Sequence, residues 1–148
     1  MSFRLSLKVR DYECDMQGIV NNAIYQHYLE HARHEYLLSH GLSFAEMNRK
    51  GIVIVVVRAE LDYRKSLQAG DAFQVTVKVA RPTPVRLVFE QSILHETDAP
   101  PILEARIICT AVNAAGRPYF PEQLADLIEP HGRIAGQFYE SSEITKNF

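Results

Sequence analysis

The residues best suited to chemistry lie together in one short stretch, Val9-Arg10-Asp11-Tyr12-Glu13-Cys14-Asp15-Met16-Gln17-Gly18-Ile19-Val20-Asn21-Asn22-Ala23-Ile24-Tyr25. A loop carboxylate aimed at a helix start suits a site that polarises a carbonyl group. The first turn of a helix leaves backbone N–H groups unpaired and carries the positive end of the dipole, so an oxygen gaining negative charge is stabilised there. The helical period begins at Asn22. Gly18 lets the backbone approach a ligand closely. Asp15 would then act on the carbonyl carbon, either by taking a proton from water or by attacking it directly. The competing reading of Asp15 is an Asx-turn or helix-entry residue, and that of Asn22 is a helix cap.

Other reactive side chains fit this chemistry less well. His27, His31 and His34 fall at helical spacing, but no His-Glu-x-x-His pattern accompanies them, and no metal is expected. Glu30, Arg33 and His34 read as intrahelical or subunit-contact groups. Tyr25 and Tyr28 read as core or as the lining of a substrate tunnel, since an ordinary phenol titrates far from neutral pH. A Gly-x-Ser-x-Gly nucleophile elbow is absent. Cys14 and Cys109 form no Cys-x-x-Cys pair and read as reduced, inert thiols.

These groups need elements to position them. Phe3, Leu5, Leu7 and Val9 alternate with polar residues, which predicts a first strand over 3–11. From Asn22 to His40 the period lengthens: Tyr25, Tyr28, Leu29, Ala32, Tyr36 and Leu37 recur at three- and four-residue steps, marking one long amphipathic helix. Gly41 stands at its C-cap position, and Ser43-Phe44-Ala45-Glu46 opens a short second helix ending near Gly51. Four β-rich runs follow: Ile52 to Arg64, Ala72 to Ala80, Val85 to His95 and Ile102 to Asn113. Their short turn-forming connections favour antiparallel neighbours. Pro121 starts a brief helix, and the polar end from Pro130 to Phe148 has little to bury.

The domain is therefore expected over 1–129, with a polar tail over 130–148. One principal helix cannot cover a sheet of about five strands. The run Ile52-Val53-Ile54-Val55-Val56-Val57 is apolar at both parities, so part of this strand should be buried on two sides, with a second copy of the chain as the cover.

At 148 residues, 47% hydrophobic and 23% charged, the chain has the size and balance of a single globular domain. Its formal charge of −2 gives no global basic field for nucleic acid. No apolar run approaches the roughly 20 residues a bilayer requires, and the first residues lack a secretory pattern, so a cytoplasmic protein without membrane insertion is expected.

The stretch around Asp15 resembles the signature of hotdog-fold thioesterases of the 4-hydroxybenzoyl-CoA thioesterase-like family. In that signature an aspartate, two intervening residues, a glycine and two aliphatics precede a helix, with tyrosine, glutamate and arginine further along. Here these are Asp15, Gly18, Ile19, Val20, Tyr25, Glu30 and Arg33. Val9 to Glu35, with Asn21-Asn22 and Arg33-His34-Glu35, is especially similar to single-domain acyl-acyl-carrier-protein thioesterases. The similarity continues through Leu67-Gln68-Ala69-Gly70-Asp71, Arg86-Leu87-Val88-Phe89-Glu90 and Ile102-Leu103-Glu104-Ala105.

The resemblance implies an α+β hotdog fold, a mostly antiparallel sheet of about five strands wrapped around one long helix. It implies a catalytic carboxylate at Asp15 and a carbonyl-polarising N–H near Asn22. The implied reaction is hydrolysis of an acyl thioester, on coenzyme A or an acyl carrier protein, without a cofactor. Some relatives have aspartate where this chain has Glu13, to which no role is assigned. Gly18 and Tyr25 would contact substrate, while Arg81 and Arg86, beside Pro82-Thr83-Pro84 and near Lys78, could meet phosphates or an acidic carrier. A homodimer or a dimer of dimers is expected. A hotdog hydratase or dehydratase is the first rival, although the His-Phe-Pro-Gly motif is absent and Val20 stands where a hydratase would place histidine. A noncatalytic acyl-binding protein is the second.

Overall fold

The computed structural model of the chain describes residues 3–95 and 100–128. The expected tail over 130–148 lies outside the described residues. Strand β1 (Phe3–Lys8) alternates half-buried and exposed positions, as its period-two sequence requires. It stops short of position 11 because the chain enters a 3-10 turn over Asp11–Glu13, just after the Val9 N–H donates to the Asp71 carbonyl at 2.9 Å.

Helix α1 (Asn22–Ser39) buries Tyr25, Tyr28, Leu29, Ala32, Arg33, Tyr36 and Leu37. Its cap is Asn21, whose side-chain oxygen accepts the Ala23 N–H at 3.0 Å. Asn22 is the first helical residue. At the other end Gly41 adopts φ 76°, and the Leu42 N–H returns to the Leu37 carbonyl at 2.9 Å, closing the helix with a left-handed residue. Helix α2 (Phe44–Arg49) follows, its Ser43 hydroxyl accepting the Glu46 N–H at 3.3 Å.

Strands β2 (Val53–Tyr63), β3 (Ala72–Ala80), β4 (Leu87–His95) and β5 (Leu103–Val112) join β1 in one antiparallel sheet, in the order β1-β3-β4-β5-β2. A two-residue strand, β6 (Pro118–Tyr119), pairs with the end of β5. The brief helix expected after Pro121 is a 3-10 turn over Glu122–Leu127. One face of the sheet wraps α1: Phe73, Val75, Phe89, Ile93 and Leu103 lie with Leu29, Ala32 and Leu37 in a single buried cluster. Burying side chains of this size contributes about 1.5–3 kcal/mol each. Met47 of α2 and Leu124 and Leu127 of the 3-10 turn belong to the same core, so α1 does not cover the sheet alone. This is the hotdog architecture, a sheet rolled around one long helix.

The opposite face is polar. Lys78, Glu90, Arg106 and Glu60 stand opposite one another across β3, β4, β5 and β2, a row of alternating charge. The free edge of β2 is different. A bulge at Val57 separates the Val56–Cys109 pair from the Arg58–Ile108 pair and keeps Ile54, Val56, Ala59 and Leu61 on the side facing α1. Within a single chain this strand is not buried on two sides, because Val53, Val55, Val56 and Val57 remain 36–51% exposed. Among the described residues, nothing reaches beyond the edge to cover them. Among the described residues, no helix is long and apolar enough to cross a membrane.

Candidate active site

Asp15 sits on a tight hairpin. Cys14 and Val20 pair as an antiparallel bridge, the Asp15 N–H donates to the Ile19 carbonyl (2.8 Å), and the Gly18 N–H donates back to the Asp15 carbonyl (3.0 Å). Met16 and Gln17 have negative φ and Gly18 has φ 80°, which is a type I turn closed by a left-handed residue. The spacing Asp-x-x-Gly thus has a backbone reason. A Cβ on Gly18 would meet nothing within 4 Å, so inside the chain this glycine is required by its dihedral angle, with no close approach involved.

The carboxylate of Asp15 accepts the Gln17 N–H on Oδ1 at 2.8 Å. That is the Asx-turn reading, and it holds. It leaves Oδ2 open, for among the described residues this is the carboxylate's one hydrogen bond. The same side chain lines a cavity of about 390 Å³ with Asn22, Tyr25, Ile19, Val20 and, from the end of β2, Tyr63, Arg64, Lys65 and Ser66. Asn22 and Tyr25 bring the first turn of α1 into its lining. The capping oxygen of Asn21 is used by Ala23, and among the described residues the Asn22 N–H has no acceptor. Asp15, with one carboxylate oxygen unbonded, and Asn22, with an unshared first-turn N–H, therefore line one cavity.

The cavity is braced from a distant segment. Leu67 is fully buried; its carbonyl accepts the Val20 N–H at 2.8 Å and its N–H donates to the Tyr25 hydroxyl at 3.0 Å. Ile19 and Gln68 add a bridge, and the Gly70 N–H reaches the Val9 carbonyl at 3.0 Å. The Tyr63 hydroxyl donates to the Asn22 carbonyl at 3.1 Å, and its ring meets Tyr25 edge-on at 5.6 Å. Burial holds the Tyr25 phenol above its ordinary pKa, in keeping with a wall residue rather than a proton carrier.

Glu13, at the base of the hairpin, is only 5% exposed. Its Oε1 accepts the Arg10 N–H (2.8 Å) and the Tyr28 hydroxyl (2.9 Å), and its Oε2 accepts Arg10 Nη2 (3.3 Å). Burial alone would raise this carboxyl, but the hydrogen bonds from Arg10 and Tyr28 prevail and hold it below the usual glutamate value. Tyr28 is pushed upward, by burial first and by the carboxylate second.

The remaining candidates lie elsewhere. Arg81 and Arg86 do not line the cavity of Asp15. Arg81 donates to the Pro84 carbonyl at 2.8 Å and stacks 3.9 Å over Phe120, while the Arg86 N–H is held by the Thr83 hydroxyl at 3.0 Å. The cations at the cavity are Arg64 and Lys65, which sit where β2 ends; a strand terminus followed by basic residues was the available signal. Arg64 pairs with Glu104 at 2.6 Å. His27, His31 and His34 line a separate groove of about 560 Å³ between α1 and β1, where His34 packs on Phe44 at 4.4 Å. Arg33 is buried, donates to Gln91 Oε1 at 3.0 Å and lies over Phe89, a structural role. Both cysteines are free, and burial lifts the Cys109 thiol to about 11.

With this geometry in place, comparison with known proteins is specific. An acyl-acyl carrier protein thioesterase of Arabidopsis thaliana, ATL3, is 36% identical over 114 residues, 77% of this chain, although the chain spans only 60% of that relative. A putative esterase of Aquifex aeolicus is 32% identical over 96 residues, 65% of this chain and 75% of its own length. Among solved structures, the YbaW probable thioesterase of Escherichia coli superposes with a TM-score of 0.75 at 25% identity, covering 85% of this chain and 98% of that one. Residues 9–128 match the model of the thioesterase-like superfamily, and the chain belongs to that family.

Proposed function

We propose that the protein hydrolyses acyl thioesters of coenzyme A or an acyl carrier protein to a free carboxylic acid and a pantetheine thiol. The observation that carries this reading is the shared cavity of Asp15 and the unpaired Asn22 N–H. The carbonyl oxygen would rest against the helix start, where donors of this kind are worth about 10²–10³ in rate. Asp15 then acts in one of two ways. As a base it takes a proton from water while the water oxygen bonds to the carbonyl carbon, and the intermediate expels the thiolate, which recovers a proton. As a nucleophile it forms an anhydride by displacing the thiolate, and water cleaves the anhydride afterwards. Label found in Asp15 after a single turnover in ¹⁸O-water identifies the second route with water attacking the Asp15 carbonyl of the anhydride, and trapping of the acyl group on Asp15 by hydroxylamine identifies it when water attacks the acyl carbonyl instead.

Purified protein and Asp15→Asn, given a series of acyl-coenzyme A and acyl-carrier-protein substrates, test the reading. Acid release that falls by at least about 10² on substitution is expected. An enoyl or hydroxyacyl thioester as product identifies a hydratase instead, and tight acyl binding without turnover identifies a binding protein. Arg64 and Lys65, at the mouth of the cavity, are better situated than Arg81 and Arg86 to meet the phosphate of the pantetheine arm. The exposed valines and open edge of β2 favour a second copy pairing edge to edge, whether as a dimer or within a dimer of dimers. Val56→Asp should then lower the molar mass seen by light scattering, and an unchanged mass speaks against this interface. Two free thiols fit a reducing compartment, the cytoplasm in this reading.

A further inference from the structure

Glu13 is a buried carboxylate that the reaction outlined above does not use. It lies outside the cavity of Asp15 and lines the separate groove between α1 and β1, so it touches no reacting atom. Its connections, however, run to both sides of the hairpin. The Glu13 carbonyl accepts the N–H of Asn21, the residue just before the Asn22 donor, at 3.0 Å. Its side chain reaches Tyr28, two turns along α1, through the 2.9 Å bond to Oε1. Residues 14–20 leave this anchor and return to it. The hairpin base is therefore fixed to α1 at two points, and Asp15 is two residues from the fixed end.

We infer that Glu13, through Tyr28, is a positioning residue that sets the height and angle at which the hairpin presents Asp15 to the start of α1. The inference rests on the reading of Asp15 as the reacting carboxylate. A carboxylate taken out of water is tolerated only with its hydrogen bonds made, so this one holds Arg10 and Tyr28 in a single arrangement. The brace from Leu67 and Gln68 holds the return side of the hairpin, at Val20 and Ile19, and the Glu13 anchor holds the side that carries Asp15. Displacing a reacting group by about 1 Å can cost on the order of 10² in rate.

The test compares wild type, Asp15→Asn, Glu13→Ala, Glu13→Gln and Tyr28→Phe in the full-length chain. The probe is the acyl-coenzyme A that wild type turns over best; kcat, KM, melting temperature and amide exchange over residues 14–22 are read. Glu13→Ala should lower kcat about 10- to 100-fold with KM within about threefold, and speed exchange in the hairpin. Glu13→Gln keeps an acceptor for Arg10 and Tyr28 and should restore most of kcat. Tyr28→Phe removes one hydroxyl, keeps the inference testable should Glu13→Ala not fold, and should lower kcat several-fold with faster hairpin exchange. Adding it to Glu13→Ala should cost nothing more. If Asp15→Asn is inactive while Glu13→Ala and Tyr28→Phe lose melting temperature but keep kcat within twofold, the positioning role is overturned and the Asp15 reading survives. Turnover that survives Asp15→Asn overturns both.

Discussion

Replacing Gly18 by alanine tests whether the turn, rather than contact with a ligand, explains the glycine of the Asp-x-x-Gly spacing. At φ 80° a Cβ meets no atom within 4 Å, so no steric repacking adds to the cost. What remains is the left-handed penalty of an L-residue, roughly 1–2 kcal/mol. If the hairpin keeps its form, the whole of that strain comes out of stability, and a urea titration should show a loss no larger than about 1–2 kcal/mol. If the exposed hairpin relaxes instead, stability is spared and the active arrangement becomes about 5- to 30-fold rarer, with kcat/KM falling by the same factor. The two losses trade against each other within one total. Gly18→Asn, which tolerates positive φ better, should fall between alanine and wild type in both assays. Unchanged stability with unchanged kcat/KM would refute the requirement for a left-handed residue. A loss of activity well beyond about 100-fold at full stability would exceed any strain at this angle and point to backbone contact with the substrate.

Three further outcomes follow from burial and charge. Leu37 is fully buried and its neighbour Leu38 is 52% exposed, so by urea denaturation Leu37→Ala should cost about 2–5 kcal/mol and Leu38→Ala within about 0.5 kcal/mol. Glu13 is held below its ordinary value of 4.5, so the stability it contributes is complete above that pH and is lost as pH falls through the folded-state value. Urea midpoints measured on descending from pH 5 should therefore drop more steeply in wild type than in Glu13→Gln, and equal slopes would contradict the linkage. Cys109, lifted to about 11 by burial, should resist iodoacetamide at neutral pH until the chain is unfolded, as followed by mass spectrometry.

The parts of this molecule that sequence reading reaches are those whose determinants are local. The period-two pattern of β1 and the three-to-four-residue steps of α1 are imposed by the faces these elements bury, and both lie where their periodicity puts them. Asp15 and Asn22 meet because a hairpin and a helix start are contiguous along the chain. Nonlocal pairings are another matter. Nothing near Leu67 announces that its carbonyl and N–H will hold Val20 and Tyr25, and the basic pair at the cavity comes from the end of β2, while the arginines at 81 and 86 lie off it. Adjacent asparagines hid which one caps α1, because the choice depends on which side chain reaches the N–H two residues on. Glu13, between Tyr12 and Cys14, carries no role that its neighbours announce; its burial is explained by Arg10 together with Tyr28, fifteen positions away. The valine run of β2 reads from sequence as buried on two sides, yet among the described residues nothing covers it and Val53, Val55, Val56 and Val57 stay 36–51% exposed.

The brace at Leu67 also orders events in time. As a chain is synthesised from its N-terminus, the hairpin and α1 emerge together, but the group that receives the Val20 N–H and donates to the Tyr25 hydroxyl emerges 42 residues after Tyr25. Strand β1 waits longer still, since Leu5 pairs with Val75. A nascent chain paused anywhere before position 67 already contains Asp15 and Asn22, yet lacks the clasp on Val20 and Tyr25, so the cavity these residues line should take shape late and abruptly as the polypeptide lengthens.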